Sequence, residues 1–201
     1  MIGPEPAAVF NSIRKLNPIC WSKGNTDMWF EEITESWVPK TPRERELFEY
    51  YIYAKTKFSQ EAITFFTELP FKSSINYKGV SILCVHGSPR SVSEVMDHRT
   101  KDSFHMMVSE VKEDIILCGH SHIPFIGEAA GKRIFNVGSV GRPFDGDNRA
   151  SYGLLDFTMG KPQFIIRRVN YPLDETIRLA KNSDSPNLEK YEYSLIHATF
   201  V

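Results

Sequence analysis

The sequence IILCGHSH, from Ile115 to His122, joins an apolar run to two histidines that bracket one small residue. The apolar half predicts a buried strand, and Gly119 predicts a turn where that strand ends. Both imidazoles then leave a fixed backbone at one corner, and imidazole is the commonest metal ligand in proteins. A single pair of this kind is more often structural, so its interpretation depends on the other segments of the chain.

Two further segments combine glycine with ligand-type side chains in the same way. They are GNTD at 24–27 and HGSP at 86–89, and the second directly follows the apolar run at 80–85. In open α/β sheets, ligands bind beyond the carboxyl ends of the strands, so the three loops are expected to meet at one cleft. Their imidazole, amide and carboxylate groups form a mixed nitrogen and oxygen set, which suits Mn, Fe, Zn, Ni or Co better than Mg or Ca.

The rest of the chain predicts one α/β domain over 1–201, with helices mainly in the first half and strands in the second. Helices are predicted at 4–17, after the capping box at 41–44, after the cap Ser59, and at 101–112 and 173–180. Strands are predicted at 19–21, 74–77, 80–85, 115–118, 123–129, 134–137, 152–157 and 163–169. The tail from residue 182 is expected to pack only in part.

Composition and charge exclude several classes of protein. The chain has 201 residues, 41% of them hydrophobic, which is enough for one substantial core. A net charge of −1 argues against a nucleic-acid partner, and the lack of an apolar run of about 18 residues argues against a membrane span. Three widely spaced cysteines predict reduced thiols and a cytoplasmic location.

The three loops, together with NVGSVGRP at 136–143, resemble the calcineurin-like metallophosphoesterases, in the branch of small bacterial and archaeal phosphodiesterases. GNTD stands where the family has Gly-Asn-His-Asp, and GHSH stands where it has Gly-His-Thr-His. The order and spacing agree over nearly the whole chain. The resemblance implies an α/β fold of the metallophosphoesterase type, a β-sandwich flanked by helices. It also implies that Asn25, His86 and His120 ligate one metal of a two-metal centre, and that His122 ligates the other.

The activity that the resemblance implies is that of a phosphodiesterase or phosphatase, which hydrolyses a small phosphate ester or nucleotide by metal-bound hydroxide. Asn25 and Asp27 are the expected catalytic residues, the latter because it orients the Asn25 loop. Gly138, through its backbone N–H, and Arg142 are the expected substrate contacts. Simpler interpretations stay open: Asp27 as a cap, residues 138–139 as a turn, and Arg142 as a solvated loop residue.

Two departures from the family pattern limit this expectation. Thr26 replaces a histidine that helps to protonate the leaving group in many members. The family's opening strand-helix-strand unit, on the order of 30 residues, is absent, and with it an Asp-x-His and a Gly-Asp segment. We therefore expect an N-terminally truncated domain with impaired activity and at most one well-ligated metal, on the His120 side. A start at an internal methionine of a longer chain is the favoured explanation, and a true short form that needs a partner surface is the other.

Three alternatives accompany this hypothesis. The same cleft would serve a non-catalytic module that binds phosphate, a nucleotide or another protein. A nuclease is disfavoured because the chain lacks a basic stripe. Ligation of a metal by Cys84 or Cys118 is less favoured than their packing in the core. The partner that we expect is a small phosphate ester, and self-association into a homo-oligomer stays open.

Overall fold

Helices form most of the first third of the molecule, whose computed structural model describes residues 2–34 and 36–201. They are α1 (Pro6–Lys15), α2 (Trp29–Glu32), α3 (Pro42–Lys57) and α4 (Gln60–Glu68). The expected capping box begins α3. Thr41 Oγ1 accepts from the Glu44 N–H at 3.1 Å, and Glu44 Oε2 accepts from the Thr41 N–H at 2.8 Å. Ser59 caps α4 through the Ala62 N–H. These predictions are confirmed, whereas α2 is not among the predicted helices.

The strand predicted at 19–21 is wrong. The Trp21 carbonyl oxygen accepts from Ser73 Oγ, and the Lys23 N–H donates to the Pro70 carbonyl oxygen at 2.8 Å. These isolated hydrogen bonds hold the segment against β1 and the residues just before it. They do not form the regular series of backbone hydrogen bonds that defines a strand pair. The apolar residues at 19–21 therefore form no strand.

A mixed five-stranded sheet carries the strand ends of interest. Its strands are β1 (Lys72–Tyr77), β2 (Val80–Val85), β3 (Ile115–Cys118), β4 (Phe125–Ala129) and β5 (Lys132–Asn136), in the order β1-β2-β3-β5-β4. The predicted hairpin is confirmed, since β1 and β2 are antiparallel and Tyr77 faces Val80. β2, β3 and β5 run parallel, so their carboxyl ends share one edge. Helix α5 (Lys101–Val108) connects β2 to β3 and buries Phe104 and Val108 against the sheet.

A second, two-stranded sheet completes the sandwich. It consists of β6 (Ala150–Asp156) and β7 (Gln163–Val169), which are antiparallel. Phe164 of β7 stacks on Phe135 of β5 with ring centroids 4.3 Å apart, so the two sheets share an apolar layer. The expected fold class, a β-sandwich flanked by helices, is confirmed.

The C-terminal part differs from its prediction. After α6 (Leu173–Lys181) the chain forms α7 (Leu188–His197), which buries Tyr191 and Leu195 against α6. The segment before α7 is polar and offers no apolar spacing, which is why the sequence predicts only partial packing. Of the helices in the described residues, none is long and apolar enough to span a membrane.

Candidate metal centre

Parallel strands bring two of the candidate histidines to one edge of the sheet. His86 follows β2, and His120 follows β3 after Gly119. The Gly119 N–H donates to the His86 carbonyl oxygen at 2.8 Å, which extends the pairing of β2 and β3 past their ends. Both imidazoles therefore start from backbone that the sheet holds rigid.

Asn25, from the loop between α1 and α2, joins these two histidines. Its Oδ1 lies 2.8 Å from His86 Nε2 and 3.2 Å from His120 Nδ1, and the two nitrogens are 3.2 Å apart. Three ligand atoms bound at right angles about 2.1 Å from one ion lie about 3.0 Å from one another. The triangle of Asn25, His86 and His120 therefore fits one face of a six-coordinate transition-metal site.

The Asn25 loop is fastened on both sides. Lys23 is buried, with its side chain 3% exposed, and its Nζ donates to Glu31 Oε1 at 2.5 Å and to the Thr67 carbonyl oxygen at 2.7 Å. Asp27 Oδ2 accepts from the Gly24 N–H at 2.7 Å and closes the turn. A Cβ on Gly24 would lie 3.1 Å from His86 Nδ1, so glycine lets this loop approach the imidazole.

A backbone carbonyl sets the tautomer of His120. The Ser93 carbonyl oxygen lies 3.2 Å from His120 Nε2, and because a carbonyl oxygen only accepts, the imidazole proton lies on Nε2. The lone pair of Nδ1 then points to Asn25 and His86. Hydrogen bonds of this type fix the orientation of metal-ligating histidines in known sites.

Ser93 and Asn136 have no assigned role in the sequence interpretation. Buried Asn136, at the end of β5, donates from Nδ2 to the Gly119 carbonyl oxygen at 2.6 Å and to Ser121 Oγ at 3.1 Å. These bonds hold the corner in which His120 adopts a left-handed backbone, with φ 64°. The position of Asn136 directly after an apolar run could have indicated a role at the strand end. Nothing in the sequence indicates a role for Ser93.

His122 lies outside the triangle. Its Nδ1 donates to the Arg142 carbonyl oxygen at 2.6 Å, and its ring stacks on Phe144 with centroids 4.5 Å apart. The same corner therefore sends its two imidazoles to different surroundings.

Burial keeps these histidines neutral. The pKa of His86 falls to about 4, first because burial disfavours the imidazolium and then because His120 and His122 lie close by. Burial also lowers the pKa of His120 and of His122. The neutral imidazole is the form that binds a metal ion, so the electrostatics of the site favour ligation.

The histidines open onto a cavity of about 740 Å³ that Arg142 also lines. The Arg142 side chain is half-buried, and burial lowers its pKa. Its Nε donates to Ser194 Oγ at 3.1 Å, and within the described ranges no carboxylate forms an ion pair with it. A guanidinium with no carboxylate partner at a cavity wall is suited to bind an anion.

Gly138 and Asp27 stand apart from this cavity. The Gly138 N–H donates to Asn136 Oδ1 at 2.9 Å, and a Cβ there would lie 2.8 Å from Ser151 Oγ. The contact of this N–H with a substrate stays a prediction; Ser139 and Gly141 line the cavity. Asp27 closes the Asn25 turn, and burial raises its pKa.

Carboxylate and thiolate ligands are missing from the triangle. Across residues 2–34 and 36–201, no three side chains of histidine, cysteine, aspartate or glutamate have metal-binding spacing, so the third ligand here is the amide oxygen of Asn25. Burial raises the pKa of the Cys84 and Cys118 thiols to about 12. In the metal-free chain both thiols are therefore protonated, as expected of cysteines packed in the core.

The mixed sheet flanked by helices has the metallophosphoesterase fold. The calcineurin-like phosphoesterase superfamily domain matches residues 3–160, and the chain belongs to that superfamily. Its members are in general hydrolases of phosphate esters that bind divalent metal ions.

Individual proteins are similar to this chain in sequence or in fold. The uncharacterized protein MJ0912 of Methanocaldococcus jannaschii is 30% identical in an alignment of length 149, which covers 65% of this chain and 58% of that protein. Two crystal structures share the fold. The hypothetical protein PH1004 of Pyrococcus horikoshii has a TM-score of 0.82 at 18% identity, over 100% of this chain and 82% of its own. A metallophosphoesterase of Sphaerobacter thermophilus has a TM-score of 0.75 at 23% identity, and the match covers 98% of this chain and 83% of that protein.

Proposed function

We propose that this protein is a metal-dependent phosphoesterase that hydrolyses a small phosphate ester in the cavity between the histidine triangle and Arg142. The observation that carries the proposal is the triangle itself, whose edges of 2.8, 3.2 and 3.2 Å match three ligands of one ion. Histidine and amide ligands favour Mn, Fe, Zn, Ni or Co.

Each residue of the site has a distinct task in this proposal. Asn25, His86 and His120 hold the ion, and Asp27 orients Asn25 by closing its turn. A divalent ion supplies Lewis acidity, which polarises a phosphoryl oxygen and lowers the pKa of a water molecule. The Arg142 guanidinium binds a phosphoryl oxygen by charge-assisted hydrogen bonds and neutralises the charge that develops during attack.

The ligand set supports one tightly held ion. His122 is separated from the triangle by its bond to the Arg142 carbonyl group, so it contributes at most to a weaker second site. We therefore propose slower turnover than a fully ligated two-metal centre sustains. The free cysteines are consistent with the proposed cytoplasmic location.

Titration with Mn²⁺ by calorimetry, followed by hydrolysis of bis(p-nitrophenyl) phosphate, tests this function. We expect the native chain to bind Mn²⁺ and to turn over the ester only when Mn²⁺ is present. His86→Ala should abolish both, because it removes one corner of the triangle. His105→Ala is the matched control, since His105 is an exposed histidine on α5 and should retain both properties.

Two outcomes would contradict the proposal. Mn²⁺ binding that His86→Ala leaves intact would place the ion elsewhere. Mn²⁺ binding without turnover of any phosphate ester would instead favour a non-catalytic phosphate-binding module.

A further inference from the structure

Helix α7 borders the cavity from outside the part of the chain that matches the superfamily domain. That match ends at residue 160, whereas α7 spans Leu188–His197. Tyr191 of α7 lines the cavity, as do Thr199 and Phe200, which follow the helix. Tyr191 and Leu195 pack on α6 and hold α7 in this place. One wall of the cavity therefore comes from a helix that lies outside the matched domain.

A buried serine of α7 contacts Arg142. Ser194 is 0% exposed, and its Oγ donates to the Tyr191 carbonyl oxygen at 2.8 Å. Because a carbonyl oxygen only accepts, this bond uses the one proton of the hydroxyl group. The hydroxyl oxygen keeps its lone pairs, and it accepts from Arg142 Nε at 3.1 Å. The Tyr191 carbonyl group thus makes Ser194 an acceptor for the arginine.

Two aromatic rings lie close to the same guanidinium group. Arg142 Cζ is 5.4 Å from the ring centroid of Phe144 and 5.8 Å from that of Tyr191, and cation–π contacts at these distances are attractive. Nε is bonded to Ser194, whereas the terminal NH2 groups of Arg142 donate to no acceptor among the described residues. Bidentate binding of a phosphoryl group uses N–H groups of this kind.

We propose that Ser194 is a positioning residue, which fixes Arg142 through Nε and leaves its terminal NH2 groups for one phosphoryl group of the ligand. Helix α7 then contributes to phosphate recognition without touching the phosphate. The full burial of Ser194 suits this role, since its hydroxyl group is held by both of its bonds. This inference rests on the proposed function, in which Arg142 binds a phosphoryl oxygen.

Calorimetric titration with inorganic phosphate, in metal-free buffer of constant ionic strength, tests the inference without turnover. Ser194→Ala should weaken phosphate binding about tenfold, which is the cost of losing a hydrogen bond to a charged group. Ser185→Ala is the matched control, because Ser185 is also buried and its Oγ has no hydrogen-bond partner within residues 2–34 and 36–201. This variant should retain the native affinity.

A second substitution separates positioning from a merely structural role. Arg142→Lys retains the positive charge but lacks the Nε–H that Ser194 accepts. In the Arg142→Lys chain, Ser194→Ala should therefore change the phosphate affinity by less than about twofold, because the two residues no longer interact. A loss of the same size in both chains would show that Ser194 only stabilises α7, and it would overturn the inference.

Three other outcomes would also overturn it. They are native affinity in Ser194→Ala, an equal loss of affinity in Ser185→Ala, and no measurable binding of phosphate by the native chain. The phosphoesterase proposal is judged separately, by Mn²⁺-dependent hydrolysis of bis(p-nitrophenyl) phosphate. That assay can succeed whether or not Ser194 positions Arg142, so the failure of one proposal is distinguishable from the failure of the other.

Discussion

His120 and His122 start from the same corner, both have left-handed backbones, and both donate one ring N–H to a backbone carbonyl group. The remaining ring nitrogen of His120 faces Asn25 and His86. The ring of His122 instead stacks on Phe144, beside Arg142. Two histidines in one short motif therefore differ in what lies opposite them, and on this difference we propose that His120 is a metal ligand and that His122 is not a ligand of the same ion.

The largest effect is expected from a pair of substitutions, one at His120 and one at His122. His120→Ala should weaken Mn²⁺ binding by at least about 1,000-fold, because loss of a direct ligand exceeds the 10- to 100-fold cost of losing an outer hydrogen bond. His122→Ala should change the affinity by no more than about threefold, because His122 lies outside the triangle and its removal takes away no ligand atom. Calorimetry on both variants measures the contrast. Equal losses would show that His122 binds the same ion.

A second test measures how the free energy of unfolding depends on pH in the absence of metal. The pKa of His86 is about 4 in the folded chain, below its ordinary value of 6.5. Between these values the unfolded chain binds a proton that the folded chain does not, so the free energy of unfolding should decrease as the pH falls from 6.5 to 4. The decrease from His86 alone should be about 3 kcal/mol at most. Urea titrations in a chelating buffer at several pH values measure it.

Substitution of one histidine at a time assigns this pH dependence. His86→Gln should flatten the curve, whereas His105→Gln on the surface of α5 should leave it as in the native chain. A curve that is unchanged in His86→Gln would mean that His86 does not contribute to the pH dependence of stability.

The smallest expected effect concerns the loop that presents Ser93 to His120. Ser88 Oγ accepts from the N–H groups of Arg90 and Ser91 and bonds to Glu94, so it shapes this loop. Ser88→Ala should loosen the carbonyl group that orients His120 and weaken Mn²⁺ binding about tenfold, as for other outer hydrogen bonds. Ser109→Ala, on the exposed end of α5, is the control. An unchanged affinity would show that the sheet alone positions His120.

Local patterns predicted much of the fold. The capping box at Thr41, the cap at Ser59 and the Lys78-Gly79 hairpin turn are decided by residues close in sequence, and the structure has all three. Helix α7 was missed because its stability comes from Tyr191 and Leu195 packing on α6, a non-local contact. The segment at 19–21 was misjudged for the same reason, since its hydrogen bonds go to single partners about 50 residues away.

For the site, the sequence by itself determined the family and the place of His86 and His120 at strand ends. Those features depend on residue type and order, which can be read along the chain. Only the tertiary structure decided that Asn25 meets His86 and His120 while His122 packs on Phe144. Likewise, only tertiary packing decided that His120 bonds to the Ser93 carbonyl oxygen and that the Gly138 N–H donates to Asn136. It also decided that Phe200 lies on the cavity wall. Distances between side chains far apart in sequence are set by how helices and sheets pack together, and no local pattern encodes them.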